Sequence, residues 1–362
     1  MRLKTIDELL ARAERTIALL DRCRALNAAS ERQRLLAAWK AGRRIAPSFW
    51  WAPAPELGAL RTALAAVVEE GERAGAWGRL YAERAKELDR EASAAEAIGS
   101  ARFGAVAAAR FPRVTGYDGR CAERWVRAWS RAASASPNDA EKPSARPSDD
   151  ARDRRSLVSA MRRAVGELRL PVRVIVSYDL PSAAAAGDGI VLVRGGVRYS
   201  DRDVGRIVLH ELHGHVLPRQ RAHNEQLGLF GVASAGGTDE EEGHALLLER
   251  RAGYLDAHRQ SELARRHVAA CTVRDGAEWI ETVDALQNLG TTLAEAIDFA
   301  NRAHRGGGLG RELVYLPALS RVSRALAADP SLEAWLERGR LSIEAARTLR
   351  ELGTPPESLR AA

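Results

Sequence analysis

Apolar residues recur at helical spacing through the first hundred positions. Leu9, Leu10, Ile17 and Leu20 form one stripe, and Leu57, Leu60, Leu64 and Val67 another, with charged residues between them. This predicts helices within 5–42 and 56–98. The segment from Ile45 to Pro55 separates them, because its three prolines cannot sit inside one helix. From Ser134 to Asp153 the apolar period disappears and Ser, Pro, Asp and Lys take over, the composition of a flexible linker. Beyond it, Ser156 to Leu168 reads as a helix, while Val172–Tyr178 and Gly189–Val193 read as strands. Ser200 fits a helix N-cap with Asp201 and Asp203 in the first turn, and that helix runs into His210. The rest reads as mostly helical, broken by glycines near 236 and 306. The expected class is α+β, predominantly helical with a small sheet. The expected organisation is a helical N-terminal region over 1–131, a linker over 132–155 and a second domain over 156–362.

Charge adds little to this. The net charge of +7 comes from arginine, since lysine occurs only at positions 4, 40, 86 and 142. The arginines are scattered and often lie beside acids, so no specific nucleic-acid partner is expected. Cys23, Cys121 and Cys271 are few, far apart and outside any Cys-x-x-Cys, which predicts neither a disulfide framework nor a cysteine metal site. Acids near the start argue against a signal peptide, and no apolar run approaches the ~20 residues of a membrane span. A cytoplasmic, membrane-free protein is the expectation.

The chemistry concentrates at His210-Glu-Leu-His-Gly-His215. Three imidazoles beside one carboxylate are the side chains that hold zinc and activate water. The His-Glu-x-x-His signature is not present, because Gly214 stands four residues after His210. On an α-helix His210 and His213 differ by about 60° and can share a face, whereas His210 and His215 differ by about 140°. The second pair converges only on a helix widened into a π-turn, which Gly214 would ease. Both pairings stand on the residues alone. Downstream, Thr238 fits an N-cap with Glu241 as its capping-box partner, which leaves Glu242 free to complete a two-histidine, one-glutamate set.

Three ordered motifs decide between the pairings. His210-Glu211 with His215, then Glu241-Glu242-Gly243-His244-Ala245, then Arg302-Ala-His-Arg305-Gly-Gly-Gly308 followed by Tyr315-Leu316, resemble the microtubule-associated tyrosine carboxypeptidase family. Ala46-Pro-Ser-Phe-Trp50 resembles a further family segment. The chain departs from the family at Leu212-His213-Gly214 and at Arg311-Glu312, where the family commonly has Ile-Gly-Thr and Lys-Asp.

The resemblance implies a gluzincin-like metallopeptidase core holding one zinc ion on His210, His215 and Glu242, with Glu211 as general base. His213 then becomes the runner-up ligand. Tyr315 is the candidate donor to the oxyanion. Arg302 and Arg305 are candidates for binding the terminal carboxylate, because a guanidinium can give it two parallel hydrogen bonds. The stretch from Gly189 to Tyr199 is expected to be an edge strand for an extended peptide. The function implied is a zinc-dependent carboxypeptidase acting on a peptide or protein C-terminus, with Tyr or Phe as the candidate residue released. The alternative is a non-enzymatic regulator or scaffold that keeps the fold.

Overall fold

Helix-period stripes become packed helices wherever the apolar face finds a partner. The computed structural model describes residues 3–134 and 145–354. In the N-terminal part, α1 (Leu3–Ile17) buries Leu3, Ile6, Leu10, Ala13 and Ile17, one face at helical spacing. It is followed by α2 (Leu19–Arg22), α3 (Ala28–Lys40), α4 (Gly58–Arg73), α5 (Gly75–Ala97), α6 (Phe103–Arg110) and α7 (Gly119–Ser134). Much of the expected linker, residues 135–144, lies outside the described residues.

After it, β1 (Arg146–Pro147) leads to α8 (Leu157–Glu167), whose N-cap Ser156 accepts the Ser159 N–H. The expected strands are present as β2 (Arg173–Ser177) and β4 (Ile190–Arg194), with β3 (Ala184–Gly187) between them in sequence. The sheet order is β2-β4-β3, with β2 parallel and β3 antiparallel to β4. The strand expected at the edge is therefore the central one, and both its backbone edges are already paired. The edges facing outward are β2 and β3. Further on, β5 (Arg198–Tyr199) pairs with β1.

The remaining chain is helical. Along it run α9 (Asp201–Val208), a π-helix (Leu209–Val216), α10 (Leu217–Ala222), α11 (Leu229–Val232) and α12 (Gly237–Arg251). They are followed by α13 (Ala257–Arg274), α14 (Trp279–Asn288), α15 (Leu293–Ala303), α16 (Tyr315–Ala328), α17 (Glu333–Leu336) and α18 (Ile343–Leu352). The fold is α+β and predominantly helical with a small sheet. The largest core joins Leu10, Tyr81 and Phe103 to Leu246, Val322 and Leu349, so helices from both ends of the chain share it. A second core puts Leu157, Met161, Val191 and Val193 against Ile207, Leu212 and Val216. That packing seats the π-helix on the sheet and turns its polar face toward α12.

Candidate functional site

A continuous rod from Asp201 to Ala222 carries the histidines. Its start is held by Ser200, whose hydroxyl oxygen accepts the Asp203 N–H at 3.1 Å. The rod widens into the π-helix over Leu209–Val216, which brings an i, i+5 pair onto one face. His210 and His215 consequently lie with ring centroids 5.0 Å apart. His213 points the other way and is exposed. Gly214 allows α12 to approach, since a Cβ there would sit 2.5 Å from that of Ala245.

The start of α12 differs from the capping box expected there. Gly236, in the left-handed region at φ 71°, occupies the cap position, and Thr238 lies inside the helix. The Thr238 hydroxyl accepts from Arg110 of α6, which also pairs with Asp239. Glu241 is released from the expected capping role and turns inward to the histidines. On its other side, α12 rests closely on α16, where a Cβ on Gly243 would lie 2.5 Å from the Ala318 backbone. Pressed between the two, α12 carries Glu242 to the imidazoles.

His210, His215 and Glu242 thus form a group able to hold a metal ion, their ligand atoms all within 4.8 Å of one another. Glu242 Oε2 lies 3.5 Å from His210 Nε2 and 3.9 Å from His215 Nε2. A tetrahedral ion with bonds of ~2.1 Å has ligand–ligand edges of about 3.4 Å, so Glu242 Oε2 is already within a few tenths of an ångström of that spacing from both imidazoles. Two neutral imidazoles and one carboxylate are also the donor chemistry zinc favours.

Each of the three is backed by a charged partner, buried or half-buried, whose role sequence reasoning missed. His210 Nδ1 lies 2.7 Å from Glu249, close although off the line of an ideal hydrogen bond. His215 Nδ1 lies 3.2 Å from Glu241 in a similarly oblique contact. Arg311 donates to Glu242 Oε1 at 2.8 Å. Carboxylates placed this way hold the ring orientation and leave Nε2 for a ligand. Burial alone would lower the His210 pKa, but without a bound metal Glu242 and Glu249 outweigh it and raise it to about 10, so a metal ion would bind by displacing that proton. Burial would likewise raise Glu249, yet Arg259 and His210 bring it down to about 2. Glu242 is also held well below the carboxylate range, because Arg311 and the two histidines overcome its burial. The signal for Glu249 was in the sequence: it stands seven residues after Glu242, two turns along the same helix face.

Glu211 follows His210 on the π-helix and is buried, with no protein hydrogen-bond donor on its carboxylate among the described residues. Beside the triad, a cleft of about 890 Å³ reaches it through Glu242. One wall is α1, with Glu8, Ala11 and Arg15, and the other is the β3–β4 turn. Arg302, Arg305 and Arg311 line the cleft together with Glu242. Arg302 pairs with buried Glu312, and Arg305 Nη2, 3.8 Å from Glu312, has no hydrogen-bond acceptor. Tyr315 is buried and does not line the cleft. Its hydroxyl oxygen accepts from Arg302 at 3.3 Å and from Arg311 at 3.0 Å.

No helix among the described residues is long and apolar enough to cross a membrane. No curated protein matches the chain. Among solved structures, a crystal structure described as a putative lipoprotein from Colwellia psychrerythraea superposes with a TM-score of 0.51. The identity is 12%, over 89% of this chain and 72% of that one, so the likeness speaks to the fold alone. The model of the family described as microtubule-associated tyrosine carboxypeptidase matches residues 40–355, most of the length. This chain belongs to the microtubule-associated tyrosine carboxypeptidase family.

Proposed function

We propose that the chain is a zinc-dependent metallocarboxypeptidase with a gluzincin-like core, hydrolysing the last peptide bond of a peptide or protein and releasing Tyr or Phe. The observation that carries this reading is the convergence of His210, His215 and Glu242, with Glu211 adjacent, beside a cleft that Glu242 lines together with arginines. His210, His215 and Glu242 would hold the metal. When bound, zinc supplies Lewis acidity, polarising the scissile carbonyl and bringing the pKa of water toward ~7.

The protein groups do the rest. Glu211, with no competing hydrogen bond, takes the proton from the attacking water and delivers it to the leaving amine. Arg305, and Arg302 beside it, receive the terminal carboxylate, which fixes the last peptide bond relative to Glu211. The hydroxyl oxygen of Tyr315 accepts from two guanidinium groups and keeps its own proton; because the ring does not line the cleft, it would reach a developing oxyanion only on a shift of Arg302 and Arg311. The cleft has room for several residues of an extended chain, with α1 as one wall and the β3 edge at the other.

Glu211→Gln is the direct test. It is expected to keep bound zinc while kcat on a peptide with a free C-terminus falls about 10²- to 10⁴-fold. Unchanged turnover in that variant would refute the role of Glu211 as base.

A further inference from the structure

On the reading that this site binds a metal, we infer that Arg311 fixes Glu242 as a one-oxygen ligand and so preserves an open coordination position. The two oxygens of Glu242 have different surroundings. Oε2 faces His210 Nε2 at 3.5 Å and His215 Nε2 at 3.9 Å. Oε1 is turned away from them and accepts from Arg311 Nη2 at 2.8 Å. A carboxylate can bind a cation through one oxygen or through both, and the second mode would need Oε1 to leave Arg311.

Arg311 is placed to resist that change. Its other terminal nitrogen, Nη1, donates to the Tyr315 hydroxyl at 3.0 Å, and its guanidinium lies 5.6 Å from the Tyr315 ring centroid. Gly310, at φ 62°, turns the chain just before it, and a Cβ there would meet the Arg274 guanidinium at 2.7 Å. Losing Oε1 would leave a half-buried charged N–H without its acceptor, and sharing Oε1 would bring a guanidinium against a dication. Both outcomes favour metal binding through Oε2 alone. A site with three single-atom protein ligands plus water or substrate is four-coordinate, whereas a two-oxygen glutamate adds a fifth bond and crowds the open position. Arg311 is thus a positioning residue that acts through Glu242.

Cobalt(II) replacing zinc reports this directly, because a four-coordinate ion absorbs visible light several-fold more strongly than a five-coordinate one. The unaltered chain is expected to bind one cobalt with the intense band, and His210→Ala to bind none. Arg311→Leu is expected to bind cobalt with a band several-fold weaker, and Arg311→Lys, which returns a cation to Oε1, to restore it. A parent-like band in Arg311→Leu would overturn the inference, as would a band in Arg311→Lys as weak as that of Arg311→Leu. If Arg311→Leu takes up no cobalt, Arg311→Gln, with a neutral donor only, is read in its place. Failure of the unaltered chain to bind cobalt overturns the metal reading itself, an outcome distinct from a failure of Arg311 alone.

Discussion

Two neighbouring clusters treat buried charge in opposite ways. Around the triad every carboxylate has its cations: Glu241, Glu242 and Glu249 lie against two imidazoles, each is also paired with arginine, and all are held in their charged form. Around Glu312 the surplus is cationic, since one carboxylate serves Arg266, Arg302 and Arg305. Burial pulls the Arg305 pKa down to about 10, and N–H groups of Arg266 and Arg305 have no acceptor. One cluster gathers side chains able to hold a metal ion, and the other leaves buried N–H groups for an anion. Set at one cleft, they suit a substrate whose reacting carbonyl lies next to its own terminal carboxylate.

The comparison breaks most visibly on the cationic side. Arg305→Met is expected to lower kcat/KM for a free-acid peptide roughly 30- to 1000-fold, with little change for the C-terminal amide. Equal losses on the acid and the amide, compared side by side, would remove Arg305 from carboxylate recognition. On the anionic side, Glu249→Gln is expected to weaken zinc binding about 10- to 100-fold in chelator competition. Its metal-free melting temperature should fall as well, because Gln leaves Arg259 and Arg206 without their buried carboxylate, so zinc affinity is compared below that temperature. An unchanged zinc affinity would leave Glu249 as a structural acid only.

Smaller effects sharpen the geometry that puts the clusters together. Gly214→Ala inserts a methyl where α12 crosses the π-helix, and about 1–3 kcal/mol of destabilisation in urea unfolding is expected. A wild-type midpoint would show that the crossing has slack. On the α1 wall, burial raises Asp7 from 3.8 to about 6 against the Gly228 N–H that favours its charged form. The folded protein therefore binds the Asp7 proton more tightly than the unfolded chain. This contribution is full below pH ~4 and is lost as pH rises through ~6. Asp7→Asn is expected to remove that slope and to gain about 1–2 kcal/mol at pH 7, read by denaturation across pH 4–7. The same slope in both proteins would assign it to another group.

Local physics explains which parts of the fold were legible in the sequence. Ser156 and Ser200 act as caps because their partners lie three residues away, and the π-turn follows from requiring His210 and His215 on one face. What failed was non-local. Thr238 reads as a cap until Arg110, 128 residues earlier, takes its hydroxyl, and Glu241 reads as its partner until His215, Arg219 and Arg340 draw it inward. The place of β4 in the middle of its sheet depends on β3, whose Ala-Ala-Ala-Gly sequence carries no strand signal. Arg311 was visible only as a departure from the family pattern, and its hold on Glu242 crosses 69 positions.

The central claim is the pairing of His210 with His215 around one ion, and metal content tests it most directly. Zinc per chain should be measured on purified wild-type protein, His210→Ala and His213→Ala, each checked for folding by circular dichroism. The expected result is one zinc in the wild type and in His213→Ala, and none in His210→Ala. Zinc lost from His213→Ala, or retained in His210→Ala, would contradict the site.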